Sequence, residues 1–337
     1  MQNNNIILLS HGGGGLRSKE LIRDVIVKYL GNPFLNGLDD GACLSIPEKN
    51  MVFTTDSFVV RPLFFPGGDI GKLAVCGTVN DLAMMGAAPR ALSLGLILEE
   101  GLPLADLERV LLSMRKTLDA VGTCVVTGDT KVVEKGMGFG IFINTAGIGV
   151  RLPGADTRVA NARAGDVVIV TGRIGDHGAA VISRREGISL ASKLVSDAAP
   201  LWGLVAALLK ERGAVHCLRD PTRGGLAGAV CDIAESSEVG IRLSEKALPV
   251  GKETAGICNL LGLDPLNMAC EGCAVVVCAE KNAGNILNLL HNHPLGKNAR
   301  VVGRVVARPA RLVVLETGIG GERIIETPAG EELPRIC

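Results

Sequence analysis

Met51-Val-Phe-Thr-Thr-Asp56 opens the stretch whose reading decides the fold. Its β-branched and aromatic residues suit a strand, and the strand ends on a carboxylate. After a Gly67-Gly68 turn, Asp69 to Met85 carries apolar residues at Ile70, Leu73, Ala74, Gly77, Leu82 and Met85, which predicts a buried helix. Ala91 to Leu98 reads as a second strand. Leu104 to Val121 then reads as an amphipathic helix, with Leu107, Val110, Leu111, Met114 and Leu118 on one face. Asp106 and Glu108 sit in its first turn and Gly122 follows its end. Thr123 to Thr127 and Phe139 to Thr145 read as strands on either side of Gly128-Asp129-Thr130-Lys131. Alternation of this kind predicts an α/β unit.

Outward from this unit the pattern breaks at Arg151-Leu-Pro-Gly-Ala155 and resumes at Asp166-Val-Val-Ile-Val-Thr171, a strand running into a loop marked by Gly172, Gly175 and Gly178. Leu201 to Lys210 and Gly225 to Glu235 are helical, and Cys273 to Ala279 and Ala299 to Ala307 are strand-like. A chain of 337 residues fits two domains of ordinary size. The breaks divide it into a first domain at 1–154, a second at 155–325 and a tail at 326–337. The tail holds two prolines and a glycine, shows no period, and ends in Cys337. Extended, it reaches roughly 40 Å.

Composition removes several classes of function. Lys+Arg and Asp+Glu balance at 35 each, which leaves no general electrostatic case for nucleic acid or an anionic membrane. Aromatics at 3% make base-stacking platforms a poor expectation. No stretch reaches the ~18 apolar residues of a spanning helix. The opening Met1-Gln-Asn-Asn-Asn5 lacks the basic start and apolar core of a signal peptide. The ten cysteines are scattered, mostly in apolar runs, as expected of free thiols in a reducing cytoplasm. Glycine is abundant, at 44 residues, without a collagen period, and points to loops that approach something closely.

Neither standard nucleotide motif is present. Gly67-Gly-Asp-Ile-Gly-Lys72 is one residue short of a P-loop and has Leu73 where Ser or Thr must reach Mg²⁺. The run Gly12-Gly13-Gly14-Gly15 lacks the spacing of a dinucleotide fingerprint. Instead, acidic residues end strands or open glycine turns: Asp39-Asp40-Gly-Ala42, Thr54-Thr55-Asp56, Asn80-Asp81, Gly128-Asp129-Thr130-Lys131 and Asp220-Pro-Thr-Arg-Gly-Gly225. Hard divalent cations that bridge phosphates want carboxylate oxygens, and several loops can converge to supply them. Read singly, each motif is equally a turn or a cap.

In this order and spacing the DDGA, TTD, VNDLAMMGA, GDT and DPTRGGLAG segments resemble the superfamily of aminoimidazole ribonucleotide synthetase and selenophosphate synthetase, the PurM-like proteins. Within it the chain resembles the HypE family of hydrogenase-maturation proteins. His11-Gly-Gly-Gly-Gly15, Asp56-Ser-Phe-Val-Val60, Pro62-Leu-Phe-Phe-Pro-Gly-Gly68, Gly128-Asp-Thr-Lys-Val-Val133, Gly175-Asp-His-Gly178, His293-Pro-Leu-Gly-Lys297 and the terminal Pro334-Arg-Ile-Cys337 carry that resemblance.

The resemblance implies two α/β (α+β) domains of mixed sheets backed by helices. It implies a homodimer in which the first domains form a barrel-like core. It also implies a reaction. A carbamoyltransferase, HypF, places a carbamoyl group on Cys337, and ATP drives its dehydration to a thiocyanate. The cyanide then passes to iron on a HypC–HypD complex. A carbamoyl oxygen leaves poorly as hydroxide, so phosphorylation precedes elimination. Mg²⁺ carries the electrostatic burden of the transfer. By motif position Asp40, Asp56, Asp81, Asp129 and Asp220 hold Mg²⁺ or orient ATP, Thr55 and Thr130 assist, and the loop with Gly12, Gly13 and Gly14 folds over the phosphates. Lys131 is implied to stabilise the transferred phosphoryl group, and Glu271 to take the amide protons. Arg335 offsets the terminal carboxylate beside the Cys337 thiol.

Three points stay open. His11 and His177 lie in glycine loops, where a single backbone hydrogen bond is the commoner role. Cys270-Glu-Gly-Cys273 is outside the family pattern and reads either as buried thiols or as a redox pair around Glu271. The rivals in function are another ATP-using relative, such as a selenophosphate synthetase or thiamin phosphate kinase, and a non-catalytic thiol scaffold. No cysteine precedes Cys43, whereas selenophosphate synthetases carry their reactive residue in the first glycine loop.

Overall fold

A computed structural model describes residues 6–11, 16–37, 50–188, 194–211, 213–327 and Ile336. Gly12, Gly13, Gly14, Asp40 and Cys337 lie outside the described residues. The first sheet has four strands, β1 (Met51–Phe58), β2 (Ala87–Glu99), β3 (Val125–Val133) and β4 (Ile141–Arg151), in the order β1-β4-β2-β3. Only the β2–β3 pair is parallel. Helices α1 (Ile70–Met84) and α2 (Leu104–Val121) pack on one face of this sheet, and the other face is largely exposed.

Helix α1 is the buried axle of the molecule. Every residue in it except Lys72 and Asp81 is buried, which explains an apolar run with little amphipathic period. Asp69 starts the helix: its carboxylate accepts from the backbone N–H of Gly71 at 2.8 Å and of Lys72 at 3.1 Å, and from the Ser113 hydroxyl. At the other end the carbonyl of Met84 accepts from the Thr157 hydroxyl, at 2.6 Å, and so touches the second half of the chain.

The second sheet has seven strands: β5 (Asp166–Val170), β6 (Val215–Arg219), β7 (Gly240–Ser244), β8 (Val275–Ala279), β9 (Arg300–Val306), β10 (Val313–Glu316) and β11 (Glu322–Ile325). Their order is β11-β10-β7-β9-β5-β8-β6, and only β7–β10 is parallel. Central β5 is buried throughout, as its unbroken apolar run requires. One face packs on α5 (Gly225–Ser236). The other packs on α4 (Trp202–Leu208), on the helix Ala283–His291, and on Ala83 and Met84 of α1. The fold is a two-sheet mixed α/β architecture. Among the described residues no helix is long and apolar enough to cross a membrane.

Two local expectations are corrected. Gly128-Asp129-Thr130-Lys131 is not a loop between strands but part of β3, paired in parallel with Leu94 to Ile97. Aspartate and glycine mark turns in general, yet here the ladder needs the missing side chain: a Cβ on Gly128 would lie 2.4 Å from the Leu94 carbonyl oxygen. The glycine loop after β5 is shorter than expected, because α3 (Asp176–Arg185) begins directly after Gly175 and includes Gly178. The helices Lys252–Leu261 and Ala283–His291 and the strands β6, β7, β10 and β11 carry no sequence signal strong enough to have been expected.

The cap on α1 yields a stability prediction. Asp69→Ala is expected to cost about 1–2 kcal/mol, and Asp69→Asn, which still accepts a hydrogen bond, a few tenths. Urea unfolding midpoints at fixed pH measure both.

Candidate active site

Alternation along β1 turns Thr54 and Asp56 inward, towards α1, and Thr55 outward. The Thr54 hydroxyl donates to Asp81 at 2.6 Å, and the carboxyls of Asp56 and Asp81 are hydrogen-bonded to one another. Burial, then the charge of Asp81, push Asp56 up to about 6, against the pull of Arg223. From the second half of the chain Asp220 joins them at the end of β6. Burial, then Asp81, raise it to about 7, with Arg219 opposing. Thr54, Asp81, Arg219 and Asp220 line a cleft of about 530 Å³ between the two sheets. Together Asp56, Asp81 and Asp220 form an all-oxygen donor set, the chemistry a hard divalent cation requires.

Glu271 stands behind this group on the turn between Cys270 and Cys273. It is 2% exposed, and its Oε1 has no hydrogen-bond partner among the described residues. Burial first, then Asp197, Asp220, Asp56 and Asp81, hold it well above the usual carboxylate range. A buried carboxyl oxygen without a partner is costly, so the surrounding structure must hold it there. The backbone shows how. The two carboxylate oxygens of Asp197 accept from the N–H of Glu271 at 3.1 Å and of Gly272 at 3.0 Å. The Glu271 carbonyl accepts from Ala199 N–H at 3.3 Å and from the Asn80 amide at 3.2 Å. Cys270 N–H donates to Pro221, beside Asp220, at 2.9 Å. At Gly272 a Cβ would meet the Asp197 carbonyl oxygen at 1.8 Å.

The flanking thiols are buried. Cys270 and Cys273 are hydrogen-bonded to each other, and their sulfurs and an Asp197 oxygen lie within 4.8 Å of one another. The Cys273 hydrogen bond lowers the Cys270 pKa, but burial and Asp197 carry it above the ordinary thiol value. The bond to Cys270, then burial, raise Cys273 further. Both are protonated at neutral pH, and the thiolate is the reacting form. No disulfide joins the described cysteines.

Other members of the expected set stand elsewhere. Thr55, Asp129 and Lys131 face the open side of the first sheet, and Thr130 points the other way. Asp129 and Lys131 pair at 3.2 Å, both mostly exposed. Asp129 is level with Ser57 through Gly95 and Asn144, three strand spacings away, or ~14 Å. Within one chain Asp56, Asp81, Asp220 and Glu271 converge, while Asp129 and Lys131 do not join them. His11 accepts the Leu8 N–H at 3.0 Å and closes its own turn.

Three residues that matter were not singled out from sequence. Asn80 donates to Ala199 and Glu271 carbonyls and accepts from Leu201 N–H at 2.7 Å. An asparagine inside an otherwise apolar helix was the available signal, since a buried amide needs partners. Asp197 and Ser196 had none. The third sequence-distant element is the tail: the carbonyl of Ile336, a residue 5% exposed, accepts from His177 Nε2 at 2.9 Å.

The two-sheet fold with a carboxylate cleft at its junction defines a class. The N-terminal domain of AIR synthase related proteins matches residues 38–151, and their C-terminal domain matches residues 163–315. A protein of Rhizobium leguminosarum bv. viciae named carbamoyl dehydratase HypE is 49% identical over 335 residues, covering 99% of this chain and 96% of the relative. A crystal structure of hydrogenase maturation protein HypE in complex with ATP has a TM-score of 0.94 at 44% identity, over 98% of this chain and 99% of that one. One of a HypE–HypF complex has a TM-score of 0.81 at 44% identity, over 91% and 99%. The chain belongs to the HypE carbamoyl dehydratase family.

The carboxylate cluster predicts a pH signature. A folded pKa raised above the unfolded value means that stability present at low pH is lost as pH rises through the folded pKa. Asp220→Asn is therefore expected to stabilise the ligand-free chain, by an amount that grows from about pH 4 to about pH 7 and then levels. Parallel urea titrations of parent and variant measure the difference.

Proposed function

We propose that this chain is an ATP-dependent carbamoyl dehydratase that converts an S-carbamoyl group on Cys337 to a thiocyanate and so supplies cyanide ligands for [NiFe]-hydrogenase iron. The observation that carries the reading is the placement of the chain's own end. Ile336 is buried and its carbonyl is held by His177, next to the loop that bears Glu271. A terminal thiol delivered there meets an unpartnered buried carboxyl and a carboxylate cleft. A passive thiol scaffold needs neither.

The steps follow from the groups present. ATP phosphorylates the carbamoyl oxygen and releases ADP. The nitrogen gives up its protons as the C≡N bond forms and phosphate leaves. In this reading Glu271 takes those protons, and its raised pKa makes it a stronger base than a surface glutamate once ionised. Asp56, Asp81 and Asp220 would hold Mg²⁺, which supplies charge neutralisation for the phosphates. Neutralising these aspartates also removes three of the four charges that raise the Glu271 pKa. Asp40 and the Gly12–Gly14 loop complete the nucleotide site in this reading.

Asp129, Lys131 and Thr55 enter through a second copy of the chain. They share the open sheet face with Met51, Phe53 and Ile97, which are 58%, 64% and 43% exposed. An apolar sheet face of this kind calls for cover. We assign it to a homodimer in which Lys131 reaches the transferred phosphoryl group. Segment 1–154 then serves ATP binding and dimerisation, 155–325 contributes Asp220 and Glu271, and 326–337 carries the thiol. HypF as carbamoyl donor, a HypC–HypD iron scaffold as acceptor and a cytoplasmic location complete the reading. Buried cysteines outside any disulfide support a reducing compartment.

Intact mass of the C-terminal peptide after carbamoylation tests the reaction. The adduct on Cys337 is expected to lose one water only with MgATP, and Glu271→Gln to slow that loss by roughly 10²–10⁴-fold. An unmodified terminal thiol in a competent donor system would return the chain to another ATP-using relative or to a scaffold. Phe53→Glu tests the pairing: sedimentation is expected to show monomers, with ATP-dependent water loss reduced alongside.

A further inference from the structure

His177 is fully buried, yet nothing in the reaction above requires an imidazole there. Its two nitrogens have defined partners. Nε2 lies 2.9 Å from the Ile336 carbonyl oxygen, and Nδ1 lies 2.8 Å from the Ser196 hydroxyl. A carbonyl oxygen can only accept, so Nε2 carries the proton. Burial holds the ring neutral, lowering its pKa to about 4, so Nδ1 has a lone pair and the Ser196 hydroxyl donates to it. Ser196 Oγ in turn accepts from Ala198 N–H at 3.0 Å. The partners leave one arrangement of protons, with every donor aimed along the chain from Ala198 to Ile336.

The receptor is built from both halves of the molecule. Phe65 packs its ring edge-on to His177, with centroids 5.3 Å apart at 85°, and Ser196 N–H donates to the Pro66 carbonyl at 2.8 Å. Gly178, next to His177, donates its N–H to Ala269 at 3.1 Å, two residues before Glu271. Ser196, Asp197, Ala198 and Ala199 are consecutive. The first addresses His177, while Asp197 and Ala199 hold the backbone of Glu271 and Gly272. The segment that receives the tail is therefore the segment that sets the proposed base.

We propose that His177 is the positioning residue for the terminal thiol: its Nε2–H holds the penultimate carbonyl and sets the register at which Cys337 is presented beside the Glu271 loop. The inference rests on the dehydratase reading and adds to it the recognition of the tail. The donor reads the main chain, while the buried Ile336 side chain supplies a second anchor. His177 itself does not touch the reacting atoms. Because Ile336 O is joined to the Cys337 amide through a single carbon, holding it restricts where the thiol can go.

The test compares His177→Phe, which keeps an aromatic ring beside Phe65 but cannot donate, with His177→Gln, which restores a donor near Nε2. Two readouts are taken on the full chain with MgATP. One is the rate of iodoacetamide alkylation of Cys337, quantified on the C-terminal peptide. The other is single-turnover water loss from the carbamoylated chain. In H177F alkylation is expected to rise roughly fivefold, as loss of one hydrogen bond of ordinary net strength allows, with H177Q within about twofold of the parent. Water loss should slow in H177F at unchanged KM for ATP and recover in H177Q. Parent-like alkylation in H177F overturns the proposal, and so does an H177Q that behaves like H177F. If H177F does not fold, Ser196→Ala carries the test, with faster alkylation expected and a parent-like rate overturning it. If the parent chain is carbamoylated but loses no water, the dehydratase reading fails while the alkylation arm still reads the tail contact.

Discussion

The Asn80 amide is the interaction on which the rest of the site depends. It lies inside α1, 2% exposed, and makes three hydrogen bonds, all to backbone of the second half of the chain. One buried side chain thus ties α1 to the second half of the chain, because leaving any of its polar groups unpaired would cost about 1–3 kcal/mol. It also sits one residue before Asp81. The helix that aims a carboxylate into the cleft on one side therefore anchors the Glu271 turn on the other.

From that anchor the chemistry of the cleft follows. Asp56, Asp81, Asp220 and Glu271 come from four separate segments, and the charges of the three aspartates help to raise Glu271. An assembly of this kind is unfavourable when empty and poised for cationic charge. The cost is met by backbone that has nowhere else to go: Asp197 takes both N–H groups of the turn, and Gly272 leaves no room for a side chain. The same loops bury the thiols of Cys270 and Cys273, which keeps them protonated.

The open face of the first sheet gives a different lesson. Sequence grouped Asp129 with Asp56 because both motifs carry a strand-end or turn carboxylate at a family position, and the resemblance added Lys131. The strand order β1-β4-β2-β3 and the alternation of side chains separate them onto opposite faces. A motif in sequence does not say which side of a sheet its residues take, since a single-residue change of register reverses it.

What the sequence determined by itself was local and periodic: the helix Leu104–Val121, the strand at Met51, the acidic residues and the terminal thiol, together with the family resemblance those motifs carry. These depend on neighbours three, four or two residues apart, which composition and spacing expose directly. Tertiary structure alone decided that Asn80 and Asp197 hold Glu271, that β3 absorbs the GDTK motif, and that His177 receives Ile336 159 residues away. Such contacts join segments with no shared period. They exist because buried polar groups must find partners wherever the fold brings them, and no spacing along the chain records that.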